Sequence, residues 1–521
     1  LADPQAIFAD IVGAAHVVTD PDSLAAAGSD IFFEAVPPCA VVAPGSVAEL
    51  SRVVTAAAAA GCCVVARGGG LSYSAGYLTG ERATVLIDTA RLNRIVAIDA
   101  EDMWVKVEAG VTWEALNDAL APRGLRTPFW GTGSGRHATV GGTVANNGAN
   151  YGSGRYGMVA DCVLSMTVVL ADGTVLTTGA GGAARAPSPF VRHYGPDLTG
   201  LFIGDCGAYG IKAEIVLQLM PRPAGVGYAA FSYATADGFF DALSALARAG
   251  LHAECFGFDP AYMSRRTTHA GLGEDVKTLA SVAAGQGSLM RGVAEAFKLA
   301  AAGRRFLKDT GYSLHIIVDG AEQADADRDT ERVKAICAGA GGSAIPASIP
   351  PVVRANPFPP PTLMVGAGGE RWIPVHGIVP HSRAKAAMAA IDAFMNERAA
   401  VIARHGLQWC FVALPVGRSA VLIEPTIYWR DAPTPMQHGY LTPAQIAPAL
   451  RHAADPAARA AVAELRRGIA EVFAGFGAVA FQIGRLYPFL ATRAEPARGL
   501  IRDLKELLDP ARRLNPGVLG L

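Results

Sequence analysis

Apolar and polar positions follow two different periods along the first 220 residues. Between 47 and 60, apolar residues recur every three or four positions, which predicts a helix, and Gly61 is well placed to end it. The next run, Cys62 to Ala66, is short and apolar, like a buried strand, and leads directly into Arg67-Gly68-Gly69-Gly70-Leu71-Ser72. Helix, buried strand and glycine loop in that order are α/β in character. Strands are predicted at 84–88, 94–98 and 104–108, with a short helix at 113–120. A second glycine-rich region spans 131–157. After it, strands at 163–170 and 175–178 are joined by Ala171-Asp172-Gly173, a hairpin signal. Residues 201–221 read as helix, glycine turn and strand, closing on Pro221-Arg222-Pro223.

From about residue 225 the texture changes. Ala-rich helical stretches at 238–249, 382–403 and 443–473 alternate with strand-like runs. A proline-rich connector at 346–361 is predicted to lack regular structure. The chain ends in a helix and a compact turn, Leu508-Asp509-Pro510 followed by Leu514-Asn515-Pro516-Gly517. This texture divides the chain into a first domain at 1–222, a second at 223–475, and a segment at 476–521 that returns to the first.

At 521 residues the chain is too long for one hydrophobic core, in keeping with that division. A formal net charge of −1 removes the electrostatic case for nucleic acid as a partner. No run reaches the roughly 18 apolar residues of a membrane span, and no signal-peptide pattern opens the chain. The eight cysteines show no Cys-x-x-Cys spacing. A chain of this size is stabilised by burial without disulfides, so the expectation is a cytoplasmic protein with reduced thiols. His252 and Cys255 are spaced like metal ligands but lack a second pair, and no metal site is expected.

A glycine turn after a strand lets the backbone approach a ligand and offers free N–H groups to phosphate oxygens. Gly68-Gly69-Gly70 fits this description. So does the run from Thr139 through Gly142 and Asn146 to Gly148, whose amides and hydroxyls suit an isoalloxazine edge or a pyrophosphate. Two such loops in one domain suggest a long ligand lying across both. There is no Gly-x-x-x-x-Gly-Lys-Ser/Thr, which argues against a P-loop enzyme. The first strand is not followed by Gly-x-Gly-x-x-Gly, and no strand leads into the one instance of that spacing, at Gly152, Gly154 and Gly157.

Arg67–Ser72 resembles the pyrophosphate loop of the vanillyl-alcohol oxidase/p-cresol methylhydroxylase flavoprotein superfamily, which has D-lactate dehydrogenase and glycolate oxidase relatives. Three later segments resemble it in the same order: Thr139–Gly148 with Arg155-Tyr156-Gly157, then Gly204–Glu214, then the terminal Leu508–Gly517. The resemblance implies an α+β fold, with a two-subdomain FAD-binding domain (1–222 and the returning 476–521) and an α+β cap (223–475). It implies a pyrophosphate held by Arg67, Gly68, Gly69, Gly70, Leu71 and Ser72. Thr139, Gly142, Asn146 and Gly148 would lie along the flavin, Gly210 and Ile211 at the adenine half, and Arg512 and Asn515 at the flavin edge. The loop has Leu71 where many relatives carry a flavin-linking histidine, and the cap stretch 417–423 offers none, so the FAD is expected to be dissociable.

The implied activity is FAD-dependent oxidation, with hydride passing from a phenolic or aromatic alcohol-type substrate to flavin N5 while a base takes a proton. Candidate bases are His376 and His381. Candidate anion clamps are Arg430 and Arg485, the latter paired with Tyr487. Two other readings remain open: a metal-independent D-2-hydroxy-acid dehydrogenase, and a flavin-binding electron-transfer subunit without its own substrate. Oxygen or a redox protein would accept the electrons, and the resemblance allows a homodimer.

Overall fold

The structure is a computed structural model that describes residues 3–80, 82–269, 311–359, 365–366 and 368–521. Two sheets form the first part of the chain. In one, strands Val17–Val18, Ala40–Val42, Thr84–Asp88 and Cys63–Arg67 lie side by side in that order, the last three parallel. Helix Val47–Ala59 makes the crossover between two of these strands. Ser46 caps it by accepting the Glu49 N–H at 3.1 Å, and Leu50, Val53, Val54 and Ala57 form its buried face. Gly61, at φ +73°, then turns the chain into the strand. Cys63–Arg67 would be an open sheet edge, but the C-terminal turn covers it. The Val64 N–H donates to the Arg513 carbonyl at 2.8 Å, and the Asn515 N–H to the Val64 carbonyl at 2.9 Å.

The second sheet is antiparallel, in the order Ile95–Asp99, Trp104–Glu108, Ile211–Gln218, Val163–Val169 and Val175–Thr177. Its hairpin turns at Gly173, φ +90°. Helix Glu495–Leu508 returns from the far end of the sequence and lays Leu504 and Leu508 on this sheet's core.

A large antiparallel sheet begins at Gly225. Its order is Ser343–Ala344, Gly225–Tyr233, Tyr312–Gly320, Glu254–Phe258, Gln408–Val416, Ala420–Trp429 and Arg371–Pro374, with Gly377–Pro380 also paired to Ala420–Trp429. Side chains alternate between its faces. Cys255, Val421, Ile423 and Ile427 share a core with helices Ala236–Ala249, His381–Glu397 and Pro456–Gly475. Glu254 and Glu424, of opposite parity, fall on the other face, and from there Glu254 reaches the first part of the chain. It accepts the Trp130 Nε1–H and the Gly152 N–H, both at 2.9 Å.

Three expectations need correction. The proline-rich connector contains helix Ile349–Ala355, because Pro350 and Pro351 sit in its first turn, where a missing N–H is harmless. The stretch 382–403 is two helices that meet at Arg398. The stretch 443–473 is broken into Pro443–Ile446 and Pro456–Gly475, with a proline in the first turn of each. No helix among the described residues is long and apolar enough to cross a membrane.

Candidate functional site

A cleft runs between the first two sheets. Its floor is the loop after strand Cys63–Arg67. Among the described residues, the amides of Gly68, Gly69, Gly70, Leu71 and Ser72 have no hydrogen-bond acceptor in the protein. Successive free N–H groups in a cleft wall form an anion nest, and Gly70, at φ +66°, supplies the left-handed step such nests use. The glycines are also required sterically. A Cβ on Gly69 would lie 1.9 Å from the His137 carbonyl, and one on Gly68 would lie 2.2 Å from Thr139 Oγ1. Arg67 is held by Asp88 at 2.8 Å.

The opposite wall is Thr139, Gly142, Asn146 and Gly148, with Gly210 and Ile211 at one end. Thr139 Oγ1 accepts the Gly142 N–H at 3.1 Å and so shapes this turn. Twelve of the residues expected to hold cofactor thus line one cleft: Arg67 to Ser72, these four, Gly210 and Ile211. Arg512 and Asn515 do not line it. Arg512 is exposed. Asn515 is a buried clasp whose Nδ2 donates to the carbonyls of Gly76 and Cys206, both at 2.6 Å. The sequence reading missed Lys212, which is buried in the cleft wall. Its Nζ is paired with Asp205 and donates to the Gly210 carbonyl at 3.2 Å. Asp205 in turn accepts the N–H groups of Gly207 and Tyr209, so this ion pair sets the shape of the 204–210 loop.

Phe481 and Gln482 line one end of the cleft, and a polar cluster lies beyond them. His376 is fully buried and stacked on Phe481 at 3.8 Å. Its Nε2 lies 2.6 Å from the Phe481 carbonyl, and its Nδ1 lies 3.2 Å from the Tyr487 hydroxyl, which also accepts the His376 N–H at 2.9 Å. Burial pushes His376 down to about 3. A neutral imidazole with both nitrogens engaged is a poor base, which corrects the expectation for this residue. Burial likewise raises the Tyr487 hydroxyl. Glu424 Oε2 faces His376 Nδ1 at 3.9 Å. Burial pushes Glu424 up to about 7, and 21% of its side chain stays accessible.

Arg466, from helix Pro456–Gly475, is fully buried beside this cluster. Its Nη2 donates to the Tyr73 carbonyl at 2.7 Å, and its guanidinium lies over the rings of Phe32 and Phe33 at 4.6 and 5.4 Å. Its Nε and Nη1 have no hydrogen-bond partner in the protein. Burial lowers its pKa to about 10, opposed by Tyr487, Asp30 and Tyr73.

The two expected anion clamps, Arg430 and Arg485, are placed differently. Arg485 is committed to the backbone, donating to Ala75 and Pro516 carbonyls and to Asn515 Oδ1. Arg430 is exposed, and its neighbour Asp431 is buried against Arg371 and Arg459. His381 lies at the opposite end of strand Gly377–Pro380 from His376, its Nε2 3.0 Å from the Arg418 carbonyl. Nothing in the spacing of Glu424 or Arg466 marks them. The burial of the Arg466 guanidinium with Nε and Nη1 unpartnered is a property the sequence does not display.

Residues 38–179 match a family described as an FAD binding domain. Over 217 residues the chain is 29% identical to D-lactate dehydrogenase [cytochrome] 1, mitochondrial, of Saccharomyces cerevisiae, covering 41% of this chain and 35% of that protein. It is 33% identical over 186 residues to the glycolate oxidase subunit GlcD of Bacillus subtilis, covering 36% of this chain and 38% of that protein. The chain therefore spans little more than a third of the length of the curated relatives it matches. The whole fold superimposes on p-cresol methylhydroxylase with substrate bound, with a TM-score of 0.74 at 18% identity, covering 99% of this chain and 96% of that one. The unpartnered amides, the glycines with no room for a Cβ and the matched domain fit FAD. The fold is shared with p-cresol methylhydroxylase, and residues 38–179 match an FAD binding domain.

Proposed function

We propose that the protein is an FAD-dependent oxidoreductase acting on a phenolic or aromatic alcohol-type substrate. The observation that carries this reading is Arg466, a buried guanidinium beside Tyr73 and Tyr487 with two N–H-bearing nitrogens left without partners. A buried cation with free donors calls for an anionic or strongly polar oxygen. Its aromatic surroundings suit a planar ring.

FAD, when bound, supplies the two-electron acceptor, and its phosphates would meet the amides of Gly68 to Ser72. The chain's own groups do the rest. Arg466 and the two tyrosines hold the substrate oxygen, and Glu424 takes the proton that the substrate hydroxyl gives up. A base that titrates near neutrality is well matched to that transfer. Leu71 and Ser72 offer the flavin no imidazole, which supports a dissociable cofactor.

A second reading, oxidation of a D-2-hydroxy acid without a metal, draws on the likeness of the FAD-binding part to D-lactate dehydrogenase and glycolate oxidase. Arg466 would then hold a carboxylate. A substrate panel under anaerobic conditions separates the two. Bleaching of the flavin by 4-alkylphenols supports the first, bleaching by lactate or mandelate supports the second, and bleaching by neither removes both.

A further inference from the structure

We propose that Tyr440 is a positioning residue through which the cap governs how long FAD stays bound. The inference rests on FAD binding at the Gly68–Ser72 loop and not on the identity of the substrate. Two tyrosines hold successive carbonyls of that loop. The Tyr440 hydroxyl donates to the Gly69 carbonyl, and the Tyr77 hydroxyl donates to the Gly70 carbonyl at 2.7 Å. In a planar trans peptide, the C=O and the following N–H point in opposite directions. Fixing the Gly69 carbonyl therefore aims the Gly70 N–H the other way, and fixing the Gly70 carbonyl does the same for the Leu71 N–H. Both amides belong to the unpartnered set in the cleft wall.

Tyr77 belongs to the same stretch of chain as the loop it holds. Tyr440 comes from the cap, as the last residue of helix Pro435–Tyr440. That helix is itself anchored to the N-terminal segment, since the Met436 N–H donates to Ser29 Oγ at 3.1 Å. The Tyr77 hydroxyl also shares its proton with the Ser29 carbonyl at 3.1 Å, so Tyr77 and the helix that carries Tyr440 both bond to Ser29. The ring of Tyr440 stands edge-on to His137 at 5.4 Å, and the His137 carbonyl packs against Gly69 from the opposite loop. Gly69 is thus gripped by its own domain on one side and by the cap on the other. The loop cannot swing its amides away from a diphosphate until the Tyr440 bond breaks.

The test is FAD release from reconstituted full-length protein, followed by recovery of flavin fluorescence. ADP serves as a competing probe that carries the diphosphate without the flavin. Tyr440→Phe keeps the ring and removes one buried hydrogen bond, so FAD should leave about 5- to 30-fold faster. ADP should weaken by a similar factor. Tyr312→Phe, in the cap core against Phe239 and Phe411, is the control for general loosening of the cap. Ser29→Ala, which frees helix Pro435–Tyr440 from a distance, should speed release in the same direction, and it decides the matter if Tyr440→Phe does not fold. Wild-type release rates in Tyr440→Phe, or in Ser29→Ala where that variant decides, would overturn the proposal. Equal acceleration in Tyr312→Phe would do the same. Failure of the wild-type protein to take up FAD would instead sink the cofactor assignment, before any variant is compared.

Discussion

Replacing Glu424 with Gln is the most direct probe of the proposed chemistry. The substitution keeps the shape of the side chain and removes its ability to accept a proton. Burial holds this carboxyl up to about 7, far above an ordinary glutamate. Its ionised fraction is then about half at neutral pH and on the order of 1% at pH 5. If Glu424 is the base, flavin reduction by a 4-alkylphenol should climb about tenfold per pH unit below 7 and level off above it. Gln at this position should slow the limiting rate by about 10² to 10³-fold and abolish the step. Affinity for FAD should not change, because Glu424 does not line the cofactor cleft. The assay is anaerobic stopped-flow bleaching of the flavin between pH 5 and 9, with FAD affinity measured alongside. A variant that is reduced at the wild-type rate, or that keeps the pH step, would refute the assignment. The proton would then have to leave by another group.

Arg466→Met should weaken phenol binding by about 10- to 100-fold, the range for losing a charged hydrogen bond, with little change in FAD affinity. Titration of the flavin spectrum with phenol checks this, and unchanged binding would remove Arg466 from the site. Acid precipitation of the yellow protein should release the FAD into the supernatant; colour retained in the pellet would mean a covalent link that Leu71 and Ser72 do not supply. Glu254 is 2% exposed, and burial pushes it up to about 8 from 4.5, so the folded state keeps a proton that the unfolded chain gives up. Its contribution is fully present below the unfolded value and declines as pH rises through 8, by at most about 5 kcal/mol. Melting curves of Glu254→Gln should therefore lose less stability than wild type between pH 5 and 9, and parallel curves would disprove this.

The lining of the cleft was legible in the sequence because it is largely backbone. A glycine triplet after a strand can be read directly, and all twelve residues named for the two loops and for Gly210–Ile211 line the cleft. The C-terminal pair was harder. Asn515 and Arg512 sit beside the right loop, but Asn515 spends its amide on Gly76 and Cys206, and Arg512 faces solvent. The proposed substrate side was not legible. Arg466 and Glu424 come from a helix and a strand 42 residues apart and are brought near Tyr73 and Tyr487 only by tertiary structure. Arg430 and Arg485 looked equally suitable in the sequence. Which arginine is free depends on which has already found carbonyls to bond, and only tertiary structure decides that. Helix boundaries failed at Pro350 and Pro456, because a proline in a first turn starts a helix and the same residue further along would break one.

Charge balance around Arg466 favours a phenol over a hydroxy acid. On the proposed reading, a 2-hydroxy acid would arrive already ionised and bring a second negative charge close to Glu424. Glu424 starts near 7, and another carboxylate close by would raise it further and leave less of it ionised at neutral pH. The same binding event that filled Arg466 would weaken the base. A phenol enters neutral, gives its proton to Glu424, and becomes an anion only when Arg466 is there to receive it. The total charge in the pocket does not change. The rings of Phe32 and Phe33 against the guanidinium add a preference for a flat apolar body next to the charged oxygen. On the proposed reading, Glu424 and Arg466 would turn a cofactor-binding part similar to that of hydroxy-acid enzymes toward an aromatic substrate.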